Sequence, residues 1–334
     1  MTWSYSPRRL IGGLAAAPLA MAMGAPNAAI PTLLLPVTCD MATLCSIQKY
    51  YDRAPGPERQ DYRCGMLTTD GHDGLDIRLR RTPDMVRNIP VVAAADGIVL
   101  RTRDGVADAN VRITGGAGMG DRLAGNAVVV DHGSGWVTQY SHLKQGSVTV
   151  SPGDRVAAGA RLGAIGMSGN AEFPHLHFAV RRDGVSVDPF SYGTSTGCTL
   201  GAASLWSADA RMRLAYREAD VLSAGFATDR NAALGMRHAL AAKHEFADPP
   251  SLILWGVATG AREGDEQHFV ISVPDGERLL DRRERVAGGG LDWVGFAGMR
   301  RPADGWKTGL VEGHYTLIRN GKIVGSAKSV IKLQ

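Results

Sequence analysis

Five of the nine histidines in this 334-residue chain fall between positions 72 and 177, and several of them stand in short polar motifs. In DGHDGLDI (70–77), three residues separate His72 from Asp76, and Gly74 lets the chain bend between them. Imidazole nitrogens and carboxylate oxygens are good ligands for Zn²⁺, and a catalytic zinc needs three protein ligands and one open position. The motif therefore predicts two ligands of a zinc site, with the third supplied from elsewhere in the chain.

The motif PHLHF (174–178) can supply that third ligand. Side chains alternate between the two faces of a strand, so His175 and His177 share one face and the apolar residues beside them turn into the core. One imidazole can then bind the metal while the other stands over the water that attacks the substrate. The two imidazoles, which would repel each other if both were protonated, are thus interpreted as having separate tasks.

Each motif taken alone also has a simpler interpretation. An HxxxD turn can be a solvated loop, an HxH strand can be the polar face of a sheet, and His142 in YSHLK can close a strand. His132 in DHGSG (131–135) can be a structural residue, a residue that hydrogen-bonds the site from outside, or a plain turn residue. The occurrence of all these motifs in one region favours a functional site, because every simpler interpretation would have to hold at once.

Residues 71–189 resemble the lysostaphin-type (LytM-like) zinc metallopeptidases, which cut peptide bonds in bacterial peptidoglycan. The shared segments occur in the order typical of that family: GHDGLDI, VVAAADGIV, GNAVVVDHGSGWVTQYSHL, VSPGDRVAAGARLGAIGMSGN and PHLHF. The resemblance implies one zinc ion as cofactor, bound by His72, Asp76 and His177. It also implies two catalytic histidines that do not bind the metal, His142 and His175.

The chemistry of these residues agrees with such roles. Zinc polarises the scissile carbonyl and lowers the pKa of a bound water, and a nearby histidine can take the water proton and pass it to the leaving amine. A second histidine can hydrogen-bond the developing oxyanion, and either His142 or His175 suits either task. No HExxH motif occurs, so a glutamate base is not indicated. Glu172, the carboxylate beside PHLHF, is expected to lie on a surface loop.

The elements that must hold these residues are short strands separated by glycine turns. The fold class is predicted to be mainly β, with a curled antiparallel or barrel-like sheet over 71–199 and a two-residue hairpin turn at Asp183-Gly184. A glycine-rich insertion at 103–125 is expected either to wall the cleft and tune substrate choice or to be an ornament.

The C-terminal part of the chain divides into two further segments. Residues 200–248 are rich in Ala, Arg, Met and Leu and are expected to form a connecting segment with some helix. At 249–334 about seven short strands, with a hairpin at Asn320-Gly321, predict a small immunoglobulin-like β-sandwich. This accessory domain carries no catalytic cluster, and it is expected to bind cell wall or a partner protein, or to stabilise the enzyme.

Residues 1–29 are expected to be a secretory signal peptide, because Arg8 and Arg9 precede an apolar run that ends in small residues. The twin-arginine-like start suggests export in the folded state. A membrane anchor is disfavoured, since Gly12, Gly13 and Pro18 interrupt a run that is short for a span. The mature protein is therefore expected to be periplasmic or secreted, with no membrane span.

The four cysteines, Cys39, Cys45, Cys64 and Cys198, agree with an oxidising compartment. They predict two disulfides in any of three connectivities, and the first three lie in an N-terminal segment at 30–70. A bridge from Cys198 back to that segment is a reasonable expectation. A cysteine-rich zinc site is disfavoured, because the chain has no CxxC pair.

Composition limits the classes of function. The chain is 44% hydrophobic and 21% charged, and its net charge of +4 is too small to indicate nucleic acid but suits an acidic polymer such as cell wall. The leading hypothesis is a secreted zinc endopeptidase of peptidoglycan cross-links or stem peptides. The bond cut is either a D-alanine to meso-diaminopimelate cross-link, which is favoured, or a glycine bridge. Two alternatives are a non-catalytic LytM-like regulator that binds and activates cell-wall amidases, and a hydrolase of secreted proteins.

Overall fold

The structure is a computed structural model that describes residues 31–116, 120–193, 203–235, 245–273 and 275–334. The expected signal peptide at 1–29 and Cys198 lie outside these ranges. Within them, no helix has the length and apolar character needed to cross a bilayer.

The described helices are all short. Three are α-helices: α1 (Val111–Thr114), α2 (Ala208–Arg213) and α3 (Arg230–Gly235). Two are 3₁₀ turns, at Thr82–Arg87 and Gly120–Arg122. The mainly β fold class predicted from the sequence is therefore confirmed.

Ten strands build the first half of the fold within the described residues: β1 (Cys45–Lys49), β2 (Leu75–Leu79), β3 (Pro90–Val92), β4 (Gly97–Arg103), β5 (Asn126–Gly133), β6 (Trp136–Leu143), β7 (Arg155–Val156), β8 (Arg161–Ala164), β9 (His175–Arg182) and β10 (Val185–Val187). Eight of them form an antiparallel sheet in the order β1-β2-β9-β6-β5-β4-β7, with β10 paired to β9. Strands β3 and β8 form a separate antiparallel pair.

Strand β9 lies in the middle of this sheet, between β2 and β6. Leu176 and Phe178 are fully buried, so their alternation directs the histidines of PHLHF to the opposite face, as the sequence predicts. The antiparallel register then places Asp76 of β2 opposite His177. The apolar alternation of one strand thus decides where the polar residues of the cleft lie.

The two predicted hairpin turns are present. Asp183 and Gly184 have φ of 51° and 82° and join β9 to β10. Asn320 and Gly321 have φ of 51° and 75° and join the last two strands of the chain. Left-handed backbone at both central positions is what a tight two-residue hairpin requires, and Asn, Asp and Gly tolerate it best.

The N-terminal segment is part of the main sheet, because β1 pairs with β2 as an edge strand. Cys39 and Cys45 form a disulfide, and no cysteine in the described residues is free. This settles one of the two bridges that the sequence left open.

Ten further strands follow: β11 (Asp220–Ala227), β12 (Glu245–Phe246), β13 (Ser251–Thr259), β14 (Ala261–Arg262), β15 (Glu266–Ser272), β16 (Arg278–Arg285), β17 (Gly289–Gly290), β18 (Trp293–Arg300), β19 (Gly309–Arg319) and β20 (Lys322–Leu333). Three of them form one sheet, in the order β11-β13-β18, and five form another, in the order β12-β20-β19-β15-β16. Buried Phe226 and Leu254 of the first sheet share a core with Phe269 and Tyr315 of the second. The two sheets pack face to face, as the predicted sandwich requires.

One segment was interpreted wrongly from the sequence. Residues 220–227 lie within the stretch expected to be a connecting segment, yet they form β11 and pair along their length with β13. Phe226 is 1% exposed in the sandwich core, and tertiary burial decides the conformation of such a short run. The flanking helices α2 and α3 do match the expected helical content.

Gly166 generates a stability prediction, because its backbone joins the strands that carry two candidate catalytic residues. Its N–H donates to the carbonyl of His142, and its carbonyl accepts from the N–H of His175. A Cβ on Gly166 would lie 2.2 Å from the backbone nitrogen of Lys144, which cannot move alone. We expect Gly166→Ala to lower the free energy of unfolding by about 1–3 kcal/mol, measured by urea denaturation.

Gly163→Ala is the matched control. A Cβ there meets first a side-chain atom, Cδ1 of Leu143, at 3.2 Å, and a side chain can give way. The loss should be clearly smaller than for Gly166→Ala. Equal losses at the two positions would contradict the close approach described for Gly166.

Candidate metal centre

Three side chains predicted as zinc ligands converge on one face of the main sheet, where β2 pairs with β9. Nε2 of His72 lies 3.3 Å from Oδ1 of Asp76, and Nδ1 of His177 lies 2.9 Å from the same oxygen. One ligand atom from each residue falls within 4.8 Å of the others, so the three can hold one metal ion. Asp76 is 1% exposed, whereas the two histidines are partly accessible from the cleft.

Local sequence explains this convergence. The pairing of β2 with β9 sets Asp76 against His177, and His72 reaches them from the turn before β2. Gly74 makes the approach possible, because a Cβ there would lie 2.8 Å from Cε1 of His177 and 2.5 Å from the carbonyl oxygen of Phe178. Glycine is needed here for space rather than for an unusual backbone angle.

The donor set fits zinc. Among the described residues, Nε2 of His72 is buried without a hydrogen-bond partner, although it lies near Asp76. Such an orphaned nitrogen is costly unless another group, such as a metal ion, completes its bonding. Two imidazoles and one carboxylate are a common ligand set for zinc, and three ligands leave a position for substrate.

The protonation of the cluster follows from its burial and its charges. Burial alone would lower the pKa of His177, but hydrogen bonds to Asp73 and Asp76 outweigh it and raise that pKa to about 9. Burial would raise the pKa of Asp76, yet the positive charge of Lys49 and the hydrogen bond from His177 help to hold that pKa well below its usual range. Burial lowers the pKa of His72, so this ring is neutral and its nitrogen is ready to bind metal.

Two further histidines lie beside the three candidate ligands. The rings of His142 and His175 are 4.5 Å apart, and Nε2 of His175 is 3.9 Å from Oδ1 of Asp76. Nδ1 of His142 donates to the carbonyl of Ser168, and Nδ1 of His175 donates to the carbonyl of Phe173, both at 2.8 Å. A carbonyl only accepts, so each ring carries its proton on Nδ1 and presents the lone pair of Nε2.

Both rings are neutral at physiological pH. Burial lowers the pKa of His175 to about 4 and that of His142 well below its usual range. His142 also has a φ of 61°, a left-handed conformation that non-glycine residues seldom adopt. Strain of this kind is typical of residues held in place for a function.

The five predicted site residues line one cleft of about 460 Å³. One wall includes Arg112, Leu123 and Ala124 of the insertion at 103–125, which agrees with the expectation that this insertion walls the cleft. Glu172 also lines the cleft and is paired with Arg112. Glu172 thus lies on a loop, as expected, and this loop borders the cleft.

His132 belongs to the scaffold. Its Nδ1 bonds the carbonyl of Asp96 at 2.7 Å and its Nε2 bonds Oγ1 of Thr138 at 2.8 Å. It does not line the cleft formed by the described residues. The structural interpretation of His132 is therefore the one that holds.

Two charged residues of the site were not identified from the sequence. Oδ1 of Asp73 lies 3.2 Å from Nε2 of His177, and Nζ of Lys49 lies 3.3 Å from Oδ2 of Asp76. Asp73 belongs to the motif DGHDGLDI and directly follows His72. A carboxylate next to a predicted ligand was the signal that could have identified it. Lys49 lies in the cysteine-bearing segment, and only the pairing of β1 with β2 brings it to the cleft.

Comparison with known proteins identifies the region that carries this centre. The model of peptidase family M23 matches residues 70–189, which include all five predicted site residues. The chain is 32% identical over 107 residues to the peptidoglycan DD-endopeptidase ShyA of Vibrio cholerae, a match over 32% of this chain and 19% of ShyA. It is 33% identical over 114 residues to the cell division protein DipM of Caulobacter vibrioides, over 34% of this chain and 15% of DipM.

A third relative is named for a different role. The chain is 40% identical over 65 residues to the murein hydrolase activator EnvC of Escherichia coli, a match over 20% of this chain and 15% of EnvC. The chain thus spans less than a fifth of the length of each of these three relatives. The resemblance to lysostaphin-type peptidases is confirmed for the matched region.

The division between ligands and other histidines can be tested by metal content. We expect His177→Ala to lose zinc, because it removes one of the three candidate ligands. We expect His142→Ala to keep zinc, because His142 is not one of them. Zinc per chain would be measured by mass spectrometry of the dialysed proteins. His132→Ala, which removes an imidazole outside the cleft, is the control and should keep its zinc. Loss of zinc from His142→Ala would contradict the assigned roles.

The raised pKa of His177 predicts a pH dependence of metal binding. Zinc must displace a proton from this ring below pH 9, so the apparent affinity should rise about tenfold per pH unit from pH 7 to 9 and then level off. The same proton stabilises the metal-free fold below about pH 6.5, and that stabilisation is lost as the pH rises through 9. Calorimetric titration in two buffers would count the proton released. An affinity that stays constant from pH 7 to 9 would disprove this protonation state.

Proposed function

We propose, from the M23 peptidase domain at residues 70–189, that the protein is a zinc-dependent endopeptidase that hydrolyses peptide bonds in the cross-links or stem peptides of peptidoglycan. The observation that carries the proposal is one cleft that combines a three-ligand cluster with two neutral histidines. The protein would act in the periplasm or outside the cell, after removal of residues 1–29.

In this proposal His72, Asp76 and His177 hold the metal ion. When bound, zinc supplies Lewis acidity and lowers the pKa of a water in the open position. Lys49 neutralises the outer oxygen of Asp76, and Asp73 accepts from Nε2 of His177. Such outer partners fix the orientation of the ligands and leave Nδ1 of His177 facing Asp76.

The other two histidines, His142 and His175, perform the proton transfers. Each presents an unprotonated Nε2 to the cleft, so each can take the proton of the attacking water. The ring that has taken the proton then becomes a donor, either to the leaving amine or to the oxyanion. Burial lowers the pKa of both rings, so both are unprotonated over the whole neutral range.

The substrate class is supported by the function for which a relative is named. ShyA is named a peptidoglycan DD-endopeptidase, and its similarity to this chain falls on the peptidase domain. The cleft also presents both signs of charge, with Lys49 and Arg181 on one hand and Glu172 and Asp292 on the other. Such a lining suits a peptide that carries free carboxylates and amines.

A second candidate is a regulator that activates cell-wall amidases without cutting peptides itself. The similarity to EnvC, a murein hydrolase activator, favours this alternative. Against it, the chain keeps three grouped ligands and two neutral histidines, and a regulator needs none of them. The endopeptidase is therefore the proposal that uses all five residues.

The test is digestion of purified sacculi by the zinc-loaded protein, with the released muropeptides identified by mass spectrometry. We expect cross-linked dimers to be converted to monomers, and we expect His142→Ala, which keeps its zinc, to release none. If the zinc-loaded protein releases no peptides, yet increases the activity of an added cell-wall amidase, the regulatory alternative is correct.

A further inference from the structure

The cleft that holds the three candidate ligands is also lined by Leu291 and Asp292. These two residues lie far outside the M23 match, which ends at residue 189. They connect β17 to β18 in the C-terminal half of the chain. The sandwich that contains them was expected to bind cell wall or a partner, or to add stability. Its presence at the cleft indicates a more direct part in the site.

Hydrogen bonds from the main sheet hold the segment that contains Leu291 and Asp292. The side-chain amide of Gln48 donates to the carbonyl of Leu291 at 2.7 Å and to Oδ1 of Asp292 at 2.9 Å. Nη1 of Arg78 donates to the same Oδ1 at 3.2 Å and to Oε1 of Gln48 at 2.6 Å. Gln48 and Arg78 lie on the neighbouring strands β1 and β2, and both are buried.

Arg78 makes this contact more than a surface bond. Its side chain is only 2% exposed, and Asp292 forms an ion pair with it. A buried guanidinium that loses its carboxylate leaves an uncompensated charge, which is strongly destabilising unless the surrounding chain rearranges. The position of Arg78 therefore depends on the C-terminal half of the chain.

Arg78 in turn supports a candidate catalytic residue. Its guanidinium lies 4.0 Å from the centre of the Phe173 ring, and that ring lies 4.9 Å from the ring of His175. The carbonyl of Phe173 accepts the Nδ1 proton of His175, and Arg78 stands opposite His175 in the strand register. A shift of Arg78 would thus move the ring and the carbonyl of Phe173, the two groups that orient His175.

We infer that Asp292 is a positioning residue of the peptidase site. It neutralises Arg78, Arg78 fixes Phe173, and Phe173 holds the tautomer and orientation of His175. The C-terminal sandwich is thereby a working part of the cleft rather than a separate module. This inference rests on the proposed peptidase function, and it extends the site beyond the M23 domain.

The test compares Asp292→Asn and Asp292→Ala with the unmodified full chain, all loaded with zinc, on a defined cross-linked muropeptide dimer. Both variants should keep their zinc, because Asp292 is not one of the three candidate ligands. We expect kcat to fall about tenfold or more, with a smaller change in KM. Asp292→Glu, which keeps the charge, should recover part of the loss.

Asp220→Asn is the matched control. Oδ2 of Asp220 pairs with Nη2 of Arg80 at 2.6 Å, and this ion pair joins the same two parts of the chain. The side chain of Asp220 is 11% exposed and that of Asp292 is 24% exposed. Asp220 does not line the cleft of the described residues. The substitution Asp220→Asn should lower the melting temperature, as Asp292→Asn does. Its kcat should stay within about twofold of that of the unmodified chain. Equal losses of kcat in the two variants would reduce Asp292 to a purely structural residue and overturn the inference.

A second measurement separates this inference from the proposed function. Histidine-selective isotope labelling of the zinc-loaded chain gives ring signals for His175, assigned with His175→Gln. Asp292→Asn should shift these signals, and Asp220→Asn should leave them in place. If the unmodified chain cuts no muropeptide, the proposed function fails, and the signals still decide the positioning role. Signals of His175 that coincide in Asp292→Asn and the unmodified chain overturn it.

Discussion

The site depends on one buried negative charge. Asp76 sits in the middle of β2 with 1% of its surface exposed, and a carboxylate in that position is stable only among positive partners. His177 and Lys49 provide such partners to its two oxygens. The same carboxylate that demands compensation in the metal-free protein is therefore prepared to receive a divalent cation. The need for a positive charge and the suitability of the site for a metal ion have one physical cause.

The backbone around this charge orients the two histidines that are proposed to transfer protons. Carbonyls of Ser168 and Phe173 accept the Nδ1 protons of His142 and His175, which fixes both tautomers without any further side chain. The backbone of Gly166 connects the two histidine-bearing segments through a pair of hydrogen bonds. The orientation of both histidines thus comes from main-chain contacts, which are more rigid than contacts between flexible side chains.

The fold was largely predictable because its strands alternate and its hairpins carry specific turn residues. Asp183-Gly184 and Asn320-Gly321 signal their turns locally, since few residues accept left-handed backbone. Strand β11 was not predictable in the same way. Its sequence DVLSAGFA has small and mixed residues between helical neighbours, and only pairing with β13 and burial of Phe226 make it a strand.

The sequence by itself determined the members of the cluster: His72, Asp76, His142, His175 and His177 stand in motifs whose residue types and order indicate zinc chemistry. Tertiary structure alone decided their surroundings. Lys49 and Asp292 reach the cleft through strand pairing and through contact with the C-terminal half, and no local pattern marks either of them. The reason is physical. Metal-ligand motifs and turn residues are recognisable within a few positions of the sequence. The partner of a buried charge, in contrast, is whichever distant residue the fold brings near it.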